Sequence, residues 1–244
     1  MKSARPLEGR TAVVTGAARG LGRALSEALC QAGARVVLID VRSDAVEQAS
    51  RELNERGFET GHCAVDVGDA EQVERCLEHA RERFGALNIL INNAGVDYTL
   101  PLAELEIAQW DHVMATNLRG PFLFCKRALT HMQAVGGGHI INIASTAAKR
   151  AWPNASAYHA SKWGLLGFSH ALHAELRPLG IKVTAVIAGG MRTPFLLERF
   201  PDLDPNVLQA PEAVAAAVVN VLTLPPESVV AEISVLPMGE TSWP

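Results

Sequence analysis

Two residues in this 244-residue chain are spaced to move a proton: Tyr158 and Lys162. On a helix, positions i and i+4 share a face, which sets a phenol and an ammonium one turn apart. A free tyrosine titrates near pH ~10 and is a poor acid or base at neutrality. A neighbouring ammonium favours the phenolate and is expected to draw that value toward the working range. Tyr/Lys pairs at this spacing also arise on solvated helix faces, so the motif alone is weak. The chain around it gives it weight.

The second chemical stretch is Thr11 to Gly22, TAVVTGAARGLG. An apolar run, Ala12-Val13-Val14, leads through Thr15 into Gly16, Gly20 and Gly22, and Arg23 to Cys30 reads as a helix. A strand that turns on glycines straight into a helix lets the backbone approach an anion. It aims free N–H groups and a partial positive charge at a diphosphate. The spacing is Gly-x3-Gly-x-Gly rather than Gly-x-Gly-x-x-Gly, and glycines at such a turn also serve the bend alone. A second run, Val36 to Ile39, ends at Asp40, 24 residues beyond Gly16. A carboxylate there accepts the ribose hydroxyls of an adenosine and repels a 2′-phosphate, which favours NAD over NADP. An ordinary turn aspartate is the alternative, and Arg19 and Arg42 could each pair with a phosphate.

The elements that must position these residues alternate regularly. Helical spacing over Asp44 to Arg56 stops at Gly57, and a strand over Glu59 to Val65 leads to Asp66-Val67. A helix over Asp69 to Phe84 stops at Gly85, and a strand over Asn88 to Asn92 runs into Asn93-Ala94-Gly95. Such alternation predicts an α/β fold, a doubly wound parallel sheet with helices on both faces. Ligands in such sheets lie at the carboxyl ends of the strands, where Gly16, Asp40, Asp66 and Asn92 to Gly95 all fall. Helical stretches follow from Glu104 through Gln133. Asn117 sits in mid-helix there, as a surface accident, a side chain held for a polar task or a helix distortion. A fifth strand, His139 to Ala144, ends at Ser145. The Tyr158/Lys162 helix is expected to start at Pro153-Asn154 and run through Leu176. A sixth strand covers Lys182 to Ala188, and Ala213 to Leu224 reads as a buried helix. A last strand is expected over Val229 to Leu236.

Bulk composition narrows the partners. The net charge of −4 carries no basic run, which argues against nucleic acid and anionic membrane. No apolar stretch is long enough to span a bilayer, and MKSARPLEGR lacks the core of a signal peptide. The cysteines at 30, 63, 76 and 125 form no Cys-x-x-Cys pair, which suits reduced thiols in a cytoplasmic protein and suggests no zinc site. His170 and His173 are i,i+3 but lack a third ligand, so no metal is expected and they read as structural or interfacial. His159 lies about 100° round the helix from Tyr158.

Taken together, TGAARGLG (15–22), Asn92-Asn93-Ala94-Gly95, Asn117, Ser145 and Tyr158-His-Ala-Ser-Lys162 resemble the short-chain dehydrogenase/reductase family in its single-domain branch. The resemblance implies one Rossmann-type domain over 1–244 with a seven-stranded sheet. Its cofactor half is about 8–145, its catalytic and substrate half about 146–244, and its flap about 190–210. It implies an NAD(H)-dependent oxidoreductase acting on a small secondary alcohol or ketone. Tyr158 would be general acid/base, and Ser145 would place the substrate oxygen. Lys162 would hold the nicotinamide ribose and depress the Tyr158 pKa, while Asn117 would anchor a relay water. Cofactor contacts would come from Gly16, Arg19, Gly20, Leu21, Gly22, Asp40, Val41, Asp66, Val67, Asn93, Ala94, Gly95, Tyr158, Lys162, Gly189, Met191 and Thr193. Asp66-Val67 would meet the adenine and Thr193 the carboxamide. A homotetramer or dimer is the usual assembly.

Two segments depart from the family pattern. The usual Pro-Gly after the sixth strand is Ala188-Gly189, which predicts a looser loop. The tail reads PMGETSWP, and Trp243 is expected to pack on a neighbouring subunit. The flap residues 195–209, rich in Leu and Phe, suggest an apolar substrate edge, though a flap packed on itself explains them equally. Asp97, Lys149, Arg150 and Trp152 are expected in the substrate pocket. Rival readings are an NADPH-dependent 3-oxoacyl thioester reductase, a cofactor-binding regulator without turnover, and a nucleotide-sugar epimerase.

Overall fold

The computed structural model describes residues 5–239. Seven strands form one all-parallel sheet: β1 (Thr11–Thr15), β2 (Arg35–Asp40), β3 (Thr60–Ala64), β4 (Ile89–Asn92), β5 (Gly138–Ile143), β6 (Ile181–Ala188) and β7 (Glu232–Val235). Their order is β3-β2-β1-β4-β5-β6-β7. Alternate residues of a strand point to opposite faces, and both faces here must be covered, which is why the strands read as unbroken apolar runs. Val13 and Leu90 pack on one side with α3 (Ala70–Phe84), α5 (Gly120–Ala134) and the end of α6 (Ser156–Leu176). Val14 and Ile91 pack on the other with α1 (Gly20–Gln31), α2 (Ser43–Glu55) and α8 (Pro211–Leu222).

The expected elements are present, with shifts at several ends. The helix that carries Tyr158 and Lys162, α6, begins at Ser156 rather than Pro153, after Asn154 takes a left-handed conformation at φ +64°. Asparagine tolerates that region, and the chain uses it to turn into the helix. The long helical region separates into α4 (Ile107–Met114), a π-helical turn (Ala115–Arg119) and α5. Its start is fixed by Gln109, whose side-chain oxygen accepts from the Glu106 N–H at 3.0 Å. The last strand is half the expected length, because residues 229–231 and Leu236 fall outside the register with β6, although the Ala231 carbonyl still accepts from the Ala185 N–H at 2.9 Å. Lys182 Nζ instead gathers the carbonyls of Pro225 (2.8 Å) and Ser228 (2.5 Å) in the turn before it. No described helix is long and apolar enough to cross a membrane. Trp243 lies outside the described residues.

Candidate active site

Strand β1 pairs with both β2 and β4, so the chain winds outward in two directions from the β1/β4 boundary. The crevice at the carboxyl ends of those strands is where such a sheet binds ligands. A cavity of about 690 Å³ opens there. Gly16 forms its floor at φ +64°, and a Cβ on it would stand 2.9 Å from Ala94 Cα. The β4 loop is tied to this turn. Thr15 Oγ1 accepts from the Asn93 and Ala94 N–H groups, both at 3.0 Å, and Asn93 Nδ2 donates to the Thr15 carbonyl at 2.9 Å. Helix α1 starts at Gly20 on the cavity wall, its first-turn N–H groups lacking intrahelical partners. A bare backbone floor beside a helix N-terminus fits a nicotinamide dinucleotide's diphosphate.

Each residue expected to contact the cofactor lines this cavity except Gly22. A Cβ at Gly22 would fall 2.0 Å from the Gly16 carbonyl oxygen, so this glycine lets α1 close behind the turn. Its place in the motif reflects packing within the turn. Asp40 reaches the wall, but its carboxylate is already engaged. Oδ1 accepts from Arg42 N (3.2 Å) and Nε (3.0 Å), and Oδ2 from Ala18 N and Arg42 Nη2, both at 3.2 Å. Arg19 is paired across the cavity with Glu198.

Tyr158 and Lys162 do share one face of α6, with Lys162 Nζ 5.6 Å from the centre of the phenol ring. Lys162 is buried and donates to the Ile143 carbonyl at 2.9 Å. Ser145, just past β5, is held by the Ala147 N–H, which donates to its Oγ at 3.1 Å. Its hydroxyl favours the ionised form of the Tyr158 phenol. The expected lowering of the Tyr158 pKa is not found in the protein alone. Removal from water dominates and pushes it up to about 12, with Asp97 adding to the rise while Ser145 and Arg199 oppose it. Burial likewise pushes Lys162 down to about 8, and Asp97 works against that shift.

Asn117 sits fully buried in the π-helical turn, one layer behind the wall. Its Oδ1 accepts from Val96 N at 2.8 Å, and its Nδ2 donates to Val96 O (2.8 Å) and Ser161 Oγ (3.0 Å). Both the polar task and the helix distortion are therefore present. The distortion has a cause in the sequence: residue 121 is proline. No N–H exists there to close the helical bond onto the Asn117 carbonyl. His159 clasps the 147–152 loop. Its Nδ1 meets the Ala147 carbonyl at 2.9 Å, its Nε2 accepts from Trp152 N at 3.1 Å, and its ring lies edge-on to the Trp152 indole. His170 and His173 serve the frame, meeting Glu232 Oε2 at 3.0 Å and the Val183 carbonyl at 3.2 Å.

The flap, beginning with α7 (Pro194–Leu197), closes the far end, where Phe195, Leu196 and Phe200 line the cavity. The Phe195 ring lies 6.0 Å from that of Tyr158. Two consecutive flap residues strap it down, Glu198 to Arg19 and Arg199 to Asp97. The loop before it is tied to the last strand. Gly189 N donates to Val235 O at 2.9 Å, and a Cβ on Gly189 would lie 2.8 Å from Pro237 Cδ. Lys149 does not join Asp97, Arg150 and Trp152 on the cavity wall; it pairs with Glu232 at 2.9 Å. Sequence reading passed over Thr15, Ser161 and Arg199, whose partners lie at separations that no motif spacing encodes. It also passed over Pro121, whose missing N–H was a legible sign of the distorted helix.

Known proteins share this arrangement. A family model described as short chain dehydrogenase matches residues 10–204. D-threitol dehydrogenase from Mycolicibacterium smegmatis is 39% identical over 181 residues, 74% of this chain and 69% of its own. The crystal structure of a short-chain type dehydrogenase/reductase from Mycobacterium marinum has a TM-score of 0.89 at 25% identity, over 98% of this chain and 97% of its own. A metagenomic short-chain oxidoreductase crystallised with NADP has a TM-score of 0.84 at 32% identity, over 96% of this chain and 99% of its own. With its parallel sheet, its glycine turn and these matches, the chain belongs to the short-chain dehydrogenase/reductase family, oxidoreductases of alcohols and ketones.

Proposed function

We propose that the protein interconverts a small secondary alcohol and its ketone with NAD(H), using Tyr158 as general acid/base. The observation that carries this reading is the meeting of Tyr158, Lys162 and Ser145 on the wall of one cavity, beside the glycine turn. A bound nicotinamide dinucleotide would exchange the hydride with the carbinol carbon. Ser145 hydrogen-bonds the substrate oxygen, and Tyr158 gives that oxygen a proton in reduction or takes it in oxidation. With its pKa near 12, Tyr158 stands ready as the acid, and oxidation needs further positive charge nearby to release its proton. Lys162, fixed by the Ile143 carbonyl, is placed to hold the nicotinamide ribose. The Asn117 side chain is fully committed, so a relay water rests on its main-chain carbonyl, left without an i+4 donor by Pro121.

Asp40 at the end of β2 supports NAD over NADP, since its carboxylate meets a ribose hydroxyl favourably and a 2′-phosphate unfavourably. A second reading, NADP use, is supported by Arg42, which forks onto Asp40 and could turn to a phosphate. The NADP complex of the metagenomic relative belongs with that reading. Exposed Phe122 and Trp163, on α5 and α6, support assembly into a homo-oligomer, dimer or tetramer. Free cysteines suit a cytoplasmic enzyme.

Absorbance at 340 nm with NAD and NADP, against a panel of small secondary alcohols and polyols including threitol, tests the reading. Turnover with NAD at least tenfold above NADP is expected. Dinucleotide binding with no turnover on any substrate would instead make the protein a cofactor-bound regulator.

A further inference from the structure

Four arginines line the cavity: Arg19, Arg42, Arg150 and Arg199. Three are neutralised by carboxylates, Arg19 by Glu198, Arg42 by Asp40 and Arg199 by Asp97. Arg150 differs. Among the described residues its guanidinium has no carboxylate or carbonyl acceptor, and its Nε is shut off from water with no partner. It stands five residues beyond Ser145. Its main-chain N–H bonds the Thr146 carbonyl at 3.2 Å, in the loop that His159 holds against α6. The backbone that carries this cation is therefore held by a fixed frame beside the cavity.

A second unsatisfied group lines the same cavity. The Asp97 side chain is 6% exposed, and its Oδ2 is taken by Arg199. Its Oδ1 is buried without a donor. Asp97 and Arg199 both act on the Tyr158 phenol electrostatically, which places the pair near the reacting hydroxyl. An orphaned acceptor and an orphaned donor each carry a desolvation penalty until something pairs with them. A wholly apolar substrate would leave both unpaired. An amine would suit Asp97 but would meet the uncompensated charge of Arg150.

We propose that the substrate is a small hydroxylated carboxylate, its carboxylate received by Arg150 and a hydroxyl other than the reacting one received by Asp97 Oδ1. This rests on the oxidoreductase reading for the identity of the reacting hydroxyl, but not for the recognition itself. Guanidinium–carboxylate pairs are two-pronged and directional, so Arg150 sets which end of the molecule points away from Tyr158. The apolar rings of Phe195 and Phe200 cover the carbon–hydrogen face of the same chain.

Matched probes test it: threonate against threitol for the carboxylate, and threonate against 3-hydroxybutyrate, which lacks the hydroxyls at C2 and C4, for a hydroxyl besides the reacting one. In the wild type, kcat/KM for threonate exceeds that for threitol by at least tenfold, and Arg150→Met brings this ratio to about one while Arg150→Lys restores part of it. Asp97→Asn lowers the preference for threonate over 3-hydroxybutyrate by about tenfold. Calorimetric titration of threonate and threitol into the protein without turnover gives an independent readout. Threonate binding that is lost in Arg150→Met, with no oxidation of any probe, keeps the recognition and removes the oxidoreductase reading. Equal binding of threonate and threitol in the wild type, or an acid-to-alditol ratio untouched by Arg150→Met, overturns the proposal.

Discussion

The two ends of the cavity are built on opposite plans. At the glycine turn, polar groups satisfy one another before any ligand arrives: Thr15 with the β4 loop, Asn93 with the turn carbonyls, Asp40 with Arg42. At the flap, a carboxylate oxygen and a guanidinium nitrogen are buried with no partner. The first end is pre-organised, so a ligand there gains from fixed geometry and spends little on ordering it. The second is completed by what binds, so its specificity lies in which groups a molecule brings. Tyr158, Lys162 and Ser145 stand where the two plans meet.

The largest effect should appear at that meeting point. Tyr158→Phe is expected to cut turnover by about 10²–10⁴, roughly 3–5 kcal/mol of barrier, while dinucleotide affinity measured by calorimetry stays nearly constant. Near-normal turnover would take the phenol out of the mechanism. Lys162→Met comes next, and its signature is in pH. The folded pKa of Lys162, about 8, lies below the ordinary 10.5. Between these values the unfolded chain binds the proton and the folded one does not, so stability contributed at this site rises with pH. Below pH 8 the buried ammonium costs about 3 kcal/mol, a penalty absent above pH 10.5. Urea unfolding of wild type relative to Lys162→Met should therefore improve through that window, and a difference flat from pH 7 to 11 would contradict a depressed lysine.

Gly22→Ala probes the pre-organised end. Its new Cβ meets the Gly16 carbonyl, so a loss of about 1–3 kcal/mol is expected in urea unfolding, with weaker dinucleotide binding. Arg150→Met, at the other end, breaks no side-chain hydrogen bond or ion pair and removes an unpaired buried nitrogen, so it should not lower stability. Equal losses in the two variants would erase the contrast between the ends. A modest effect is expected from Asp40→Ala. It should weaken NAD about tenfold, near 1.4 kcal/mol, and narrow its lead over NADP, read from KM for the two dinucleotides. An unchanged preference would pass the selector's role to Arg42.

Much of this molecule was legible because its signals are local. The alternation of apolar runs and helical spacings encodes the parallel sheet, and the strand ends then collect Gly16, Asp40 and Asn93 without further information. Gly22 was legible as a motif position but not as a packing glycine, since the Gly16 carbonyl it shelters is brought close only by the turn itself. The Asp97–Arg199 pair joins residues 102 apart through the closing of the flap. Arg150 and Lys149 are neighbours in sequence, yet one lines the cavity and the other pairs with Glu232 on the edge strand.

The sequence by itself determined which groups could do chemistry and that a helix would hold Tyr158 and Lys162 one turn apart, because helical geometry is set by the backbone. Tertiary structure decided how those groups titrate and which of them remain unpaired. The same Tyr–Lys spacing lowers a phenol's pKa in water-exposed surroundings and fails to do so where burial removes solvent from both. Spacing is a property of the chain, whereas solvation and pairing belong to the packed whole.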